Sequence, residues 1–156
     1  VDEGRIAGEN AARYPDVVRH VRRAPLAIVF SEPQMAIAGQ SYASLDRDRT
    51  EIAEVSFESQ GRARVMARAV GLVRLYATRD DCIFRGAEIF GPNAEHLAHL
   101  LSWSVQQKMT VQRMLRMPFY HPVLEEGLRT GLRSLARQLK VAATRPCEDM
   151  AESPGM

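Results

Sequence analysis

The sequence predicts an α+β domain: an antiparallel β-sheet with helices packed on one face and at one end. Three observations predict it. Short runs of β-forming residues follow one another between residues 26 and 90, punctuated by Pro, Gly and Asp. The run at 72–77 passes through Thr78-Arg79-Asp80-Asp81 into a second run at 82–90, the pattern of a hairpin whose aspartates can accept local backbone N–H groups. From residue 93 onward the apolar spacing changes to the 3.6-residue period of amphipathic helices.

Residues 2–13 read as a helix, with Asp2 and Glu3 in its first turn complementing the helix dipole. Pro15 ends it, and 14–24 form a polar, Arg-rich connection. The apolar run Leu26–Phe30 is a strand. Ser31-Glu32-Pro33 turns the chain, and Met35–Ala38 is a second strand closed by Gly39. A short helix is expected over 41–46, followed by an exposed Arg47-Asp48-Arg49. Ala53, Val55 and Phe57 alternate with Glu54, Ser56 and Glu58, the period of two that marks a half-buried strand. Residues 59–69 carry Gly61 and arginines without a clean period, so a loop or a turn of helix is expected there. Leu72–Ala77 and 82–90 are the hairpin strands, with Gly86 a candidate bulge and Cys82 a small buried apolar residue within the strand. Three or four antiparallel strands in succession imply a single sheet.

Gly91-Pro92-Asn93 stops the last strand and starts a helix with Asn93 as N-cap. Leu97, Leu100, Leu101 and Val105 form its apolar face. Thr110 caps a short helix that runs to Met117 and is broken by Pro118. After Pro122, Leu124, Leu128, Leu132, Leu135 and Leu139 make a helical stripe, read first as core packing. Gly127 and Gly131, four apart, would allow another backbone to approach. Residues 141–156 have no period and read as a disordered tail.

Composition limits the function classes. The chain has 156 residues, one domain's worth, and 46% of them are hydrophobic, enough for a packed core. The 21 basic and 19 acidic residues nearly balance, which gives no case for nucleic acid. Arg19, Arg22 and Arg23, and Arg62, Arg64 and Arg68, read as solvated faces or docking contacts. No apolar run approaches the roughly 18 residues that a membrane span requires, and no signal peptide is visible. Cys82 and Cys147 stand far apart and make no disulfide framework, so the expected compartment is a reducing cytoplasm. The chain starts at Val1 without a methionine and reads as a fragment.

The chemistry-bearing stretch is Phe119-Tyr120-His121-Pro122-Val123-Leu124-Glu125-Glu126. Pro122 suits the first position of a helix, which would pin His121 at the helix entrance with two carboxylates one turn on. A histidine oriented by a carboxylate is the basic unit of a general acid/base. On residue type alone His121 reads more readily as a cap or a packed surface residue than as a catalytic group. Helix geometry does not choose Glu126 over Glu125 as its partner, because five residues correspond to about 140° around a helix. His96 and His99 are three apart on a predicted helix, but no third ligand lies nearby, so no metal site is assigned.

His121-Pro122 with Glu126 and the Leu-rich stretch after it resembles the C-terminal signature of the flavin-dependent pyridine nucleotide–disulfide oxidoreductases. Three further stretches resemble the same family in the same order: Phe30–Gly39, Gly61-Arg62-Ala63, and Ala87–Ala94. Asp2-Glu3-Gly4-Arg5 also fits. The dihydrolipoamide dehydrogenase branch is the most similar. The resemblance covers almost the whole chain but only the last third of such an enzyme. It implies that 1–24 ends the flavin-domain segment and that 25–140 is the dimerisation, or interface, domain.

It further implies a homodimer in which His121 is the acid/base for a dithiol substrate, Glu126 holds the imidazole, and the His121-Pro122 backbone lies against the partner subunit's flavin. Glu125 stays a rival to Glu126. FAD and NAD(P) would belong to the parent enzyme. Neither would be bound by this chain alone, which has no Gly-x-Gly-x-x-Gly turn and no closely spaced cysteine pair. The implied partners are the parent's flavin and nicotinamide domains and a lipoyl-bearing 2-oxo acid dehydrogenase complex. Phe119 departs from the branch, which often has a histidine two residues before the His-Pro pair. Mercuric reductases would carry an adjacent cysteine pair near the end, and glutathione reductases match Gly91–Ala94 less well. The rival from another class is an interaction module without catalysis.

Overall fold

Five antiparallel strands carry the fold, in a computed structural model that describes residues 2–140. In chain order the elements are α1 (Asp2–Arg13), β1 (Leu26–Val29), β2 (Gln34–Gly39), two 3-10 turns (Tyr42–Ser44 and Arg47–Arg49), β3 (Thr50–Ser56), α2 (Gly61–Val65), β4 (Leu72–Thr78), β5 (Phe84–Gly91), α3 (Ala94–Gln106), α4 (Val111–Leu115) and α5 (Glu125–Gln138). The strand order is β1-β2-β5-β4-β3. The sheet is therefore wider than three or four strands, and β5 is inserted between β2 and β4 rather than following in sequence order. The irregularity of the β4–β5 hairpin falls on Arg85, next to Gly86: Tyr76 pairs with Gly86 and Ala77 with Phe84.

One face of the sheet is buried. Register aligns Ala38, Ala87, Leu75 and Ala53 across four strands, with Ala36, Ile89, Val73 and Val55 in the next row. Small residues on β2 and β5 let α3 approach through Ala94, Leu97, Ala98 and Leu101, all buried. α5 covers β3 and β4 with Leu128, Leu132 and Leu135, each burial being worth about 1.5–3 kcal/mol. α4 joins at the end of the sheet, where the Phe84 N–H donates to Met109 O and the Val111 N–H to Cys82 O. On the opposite face Val29, Met35, Phe90 and Leu72 form a continuous row, and Val29, Met35 and Phe90 are exposed. The first 3-10 turn covers part of that face, setting Tyr42 beside buried Tyr76, with Arg47 and Arg74 against the Tyr42 ring.

Several local expectations need correction. β1 stops at Val29, and Phe30 lies exposed. Leu100 is exposed because it sits about 120° around α3 from the face that meets the sheet. Asn93 occupies the N-cap position of α3 but adopts a left-handed backbone, φ 52°, and its side chain caps nothing. Gln34 Oε1 instead accepts the Glu95 N–H at 3.4 Å. α4 ends at Leu115, short of Met117. Cys82 lies outside the strand at φ 56° and is half-buried. Pro122 is not the first helical residue: α5 begins at Glu125 behind Leu124, and the His121–Pro122 peptide is cis. Gly127 and Gly131 face side chains rather than another backbone; a Cβ on Gly131 would lie 2.6 Å from Leu75 Cδ1 and 3.3 Å from Val55 Cγ2. The tail at 141–156 and Cys147 fall outside the described residues.

Gly71 is held at φ 95°, and a Cβ there would lie 1.9 Å from Phe90 O. Backbone cannot yield as a side-chain tip can, so Gly71→Ala should destabilise by about 3 kcal/mol. Gly61→Ala, at the open start of α2 with no atom within 4 Å of its Cβ, should be neutral or stabilise by up to about 1 kcal/mol. Paired urea denaturation curves check both. Equal effects would contradict the backbone clash.

Candidate functional site

The loop between α4 and α5 carries the candidate site. Its root is apolar. Phe119 packs against the core, lining a small cleft with Leu101, Met114, Leu128 and Leu132. The Arg129 guanidinium lies over the Phe119 ring at 5.5 Å from its centroid. Beyond this anchor the loop opens outward: Tyr120 is 80% exposed and the His121 side chain 81%. Among the described residues no backbone hydrogen bond restrains 118–122, so orientation there must come from side chains and from Val123.

Glu126 supplies it. Its Oε1 lies 2.9 Å from His121 Nδ1, and its Oε2 accepts the Val123 N–H at 3.2 Å. One carboxylate thus fixes both the imidazole and the peptide that follows Pro122. The hydrogen bond to His121 and then the one from Val123 hold the Glu126 carboxyl below the usual carboxylate range, with Arg129 adding a smaller favourable charge. Glu126 is therefore ionised at neutral pH, and an ionised carboxylate only accepts. The proton of a neutral imidazole must then sit on Nδ1, which leaves the Nε2 lone pair directed away from Glu126 and available as a base.

Of the residues singled out by sequence, the structure brings together His121, Pro122 and Glu126. It is Glu126 and not Glu125 that meets the ring. His121 stands outside the helix, so its side chain folds back over the first turn of α5, which helical spacing alone could not foresee. His96 and His99 stand apart on α3; His99 Nδ1 pairs with Glu95 O at 2.9 Å. Among the described residues no group of three His, Cys, Asp or Glu side chains could hold a metal ion.

Sequence reasoning missed Gln60. Its Nε2 donates to Val123 O at 2.7 Å while its Oε1 accepts the Ala63 N–H at 2.6 Å. No spacing rule links residues 60 and 123. The only hint was that Gln60 immediately precedes the Gly61-Arg62-Ala63 stretch.

The sequence model of the family described as "Pyridine nucleotide-disulphide oxidoreductase, dimerisation domain" matches residues 26–131. The chain belongs to this family. The match takes in the sheet, α3, α4, the histidine loop and the first half of α5. The dihydrolipoyl dehydrogenase of Geobacillus stearothermophilus is 30% identical over 126 residues, 80% of this chain and 26% of that protein. A mercuric reductase from Acidithiobacillus ferrooxidans is 27% identical over 116 residues, 73% of this chain and 21% of its own length. Among solved structures, LpdA from Mycobacterium tuberculosis superposes with a TM-score of 0.72 at 23% identity, over 86% of this chain and 29% of its own. The HOCl-induced flavoprotein disulfide reductase RclA from Escherichia coli gives 0.70 at 18% identity, over 85% of this chain and 31% of its own. These superpositions speak for the fold. The chain spans about a quarter of the length of the curated relatives it matches. As a pyridine nucleotide-disulphide oxidoreductase dimerisation domain, it presents the His121 imidazole, oriented by Glu126, on its exposed surface.

The depressed Glu126 carboxyl has a pH consequence. Its pKa is lower folded than unfolded, so the stabilisation it gives the loop is complete above the ordinary glutamate value of about 4.3 and fades as pH falls through the lower folded value. Carboxyl ¹³C titration should place the Glu126 midpoint below that ordinary value, and His121→Ala should move it up. A midpoint unaffected by the substitution would contradict the pairing.

Proposed function

We propose that this chain is the dimerisation domain of a flavin- and nicotinamide-dependent disulfide oxidoreductase of the dihydrolipoyl dehydrogenase type, and that His121, oriented by Glu126, is the acid/base for its dithiol substrate. The observation that carries this reading is the 2.9 Å contact between His121 Nδ1 and Glu126 Oε1 on an otherwise open loop. A thiol with a pKa of about 8.5 is mostly protonated at neutral pH, and only the thiolate attacks a disulfide. His121 Nε2 takes the thiol proton, Glu126 balances the imidazolium that results, and in the reverse direction the same nitrogen returns the proton.

The exposed edge Tyr120-His121-Pro122 fits a surface that closes against another subunit, and we assign the pair to the partner's site, in trans. Flavin, when bound in the parent enzyme, supplies electron transfer between the disulfide and the nicotinamide. This chain's part is limited to proton handling and to the placing of the loop, with the His121-Pro122 backbone as the segment that would lie against the flavin ring. The exposed row Val29, Met35 and Phe90, and Leu100 and Trp103 on α3, are apolar surface that association would cover. The remaining partners in this reading are the parent's flavin and nicotinamide domains and a lipoyl-bearing 2-oxo acid dehydrogenase complex, in the cytoplasm.

In the full-length protein, His121→Gln should lower dithiol turnover by about 10²–10⁴-fold, whereas electron transfer between flavin and nicotinamide, which does not use this base, should change little. Glu126→Gln should lower turnover less. Heterodimers of the His121→Gln chain with a chain lacking the redox cysteines should recover towards half of wild-type activity, since one of their two sites is intact. Verified heterodimers without recovery would sink the in-trans assignment. Sedimentation of this chain should show self-association, and a monomer at every attainable concentration would count against it.

A further inference from the structure

We propose that Gln60, on the connection between β3 and α2, is a positioning residue for the His121–Glu126 pair, acting through the Val123 peptide. Val123 is the first residue after Pro122 with both backbone polar groups engaged. Its N–H donates to Glu126 Oε2 at 3.2 Å and its carbonyl accepts from Gln60 Nε2 at 2.7 Å. The first bond is local to the loop and α5. The second reaches across 63 residues of sequence to a different layer of the fold.

Gln60 is itself well fixed. It is 9% exposed. Its Oε1 caps α2 by accepting the Ala63 N–H at 2.6 Å, and buried Ala63 seats that helix in the core. An amide carries donors and an acceptor on one rigid plane. The cap fixes the plane, and the plane then aims Nε2 at Val123. Gly127 belongs to the same arrangement: a Cβ there would lie 3.6 Å from Gln60 Cγ, in contact with the bridging side chain. The Gln60-Gly61-Arg62-Ala63 segment is in this way coupled to a histidine loop far along the chain. Without the Gln60 bond, Glu126 would remain able to pair with His121, but Val123, two residues beyond the imidazole, would be held through its N–H only. A misplaced base is penalised steeply when proton transfer requires hydrogen-bond reach.

This inference rests on the acid/base reading of His121, and its test separates the two. Gln60→Glu keeps the acceptor that caps α2 and removes the donor to Val123. Gln60→Met keeps the length and removes both. In the full-length protein, hydrogen exchange is followed by mass spectrometry on peptides covering 117–124, 61–66 and, as a control for the fold, 72–78.

Gln60→Glu should speed exchange of the Val123 amide, the hydrogen-bonded N–H read within 117–124, by about tenfold, leaving 61–66 and 72–78 unchanged. It should also lower the dithiol-dependent step by about tenfold in kcat, with little change in KM or in flavin–nicotinamide electron transfer. Should the carboxylate disturb 72–78, the Gln60→Met chain decides, with 117–124 and 61–66 both faster than wild type. Unchanged exchange in 117–124 would overturn the proposal. So would faster exchange with an unchanged dithiol step. If His121→Gln itself spares that step, the acid/base reading falls, while the exchange result still decides whether Gln60 holds the loop.

Discussion

The seating of α5 on β3 and β4 is the constraint on which the candidate site depends. Leu128, Leu132 and Leu135 are buried there, and Gly131 lets the helix settle onto Leu75 and Val55. Glu126 belongs to the first turn of that helix. Its position is therefore fixed by hydrophobic packing along the turns of α5 that follow it, not by the loop it serves. The hierarchy matters because the His121–Glu126 contact is itself exposed, and exposed ion pairs contribute little to stability. The pair does not hold the loop region together. The packed helix holds Glu126, and Glu126 selects the ring orientation from those open to an exposed imidazole.

A second hierarchy runs through Val123. Helix α5 reaches its N–H through Glu126, and the β3–α2 connection reaches its carbonyl through Gln60. These attachments come from elements far apart in sequence that meet only because β3 and β4 are adjacent in the sheet and α5 lies across them. Phe119 and Arg129 add an apolar anchor at the other side of the loop. The result is a short exposed segment with fixed ends and a free outer edge, the arrangement expected where a side chain must be offered to something outside the domain.

The elements were legible in the sequence wherever one physical signal dominated. The leucine stripe of α5 and the alternation in β3 each reflect burial on a single face, which periodicity reports directly. The order of the strands was not legible, because insertion of β5 between β2 and β4 is decided by pairing over long separations. Asn93 occupies the expected N-cap position without capping: an Asx residue at a helix start is expected to cap, yet here its tolerance of a left-handed backbone is what is used. Pro122 misled in a similar way. Its fixed φ suits a first helical turn, but the chain uses Val123 and Leu124 as a further linker before α5 begins. In the site itself His121 and Glu126 could be named from motif and resemblance, with Glu125 left as a rival; it is Glu126 that makes the contact to the ring. Gln60 could not be named, since a single amide 63 residues away leaves no pattern.

On the proposed acid/base reading of His121, the domain offers half of a reaction centre. A carboxylate that only accepts leaves one imidazole nitrogen protonated and the other bare, and the bare nitrogen stands on the open side of the loop. Such a nitrogen is a base towards whatever surface closes over it. Within this domain nothing among the described residues supplies a thiol beside it: Cys82 lies in the β4–β5 connection, joined to the start of α4 through its carbonyl. A base fixed this firmly to a rigid scaffold, yet facing outward, is of use only if the complementary surface is positioned as firmly against it. The geometry of the histidine loop and the dimerising character of the family are thus linked requirements: the narrower the tolerance for proton transfer, the more the chemistry depends on how accurately two surfaces are held together.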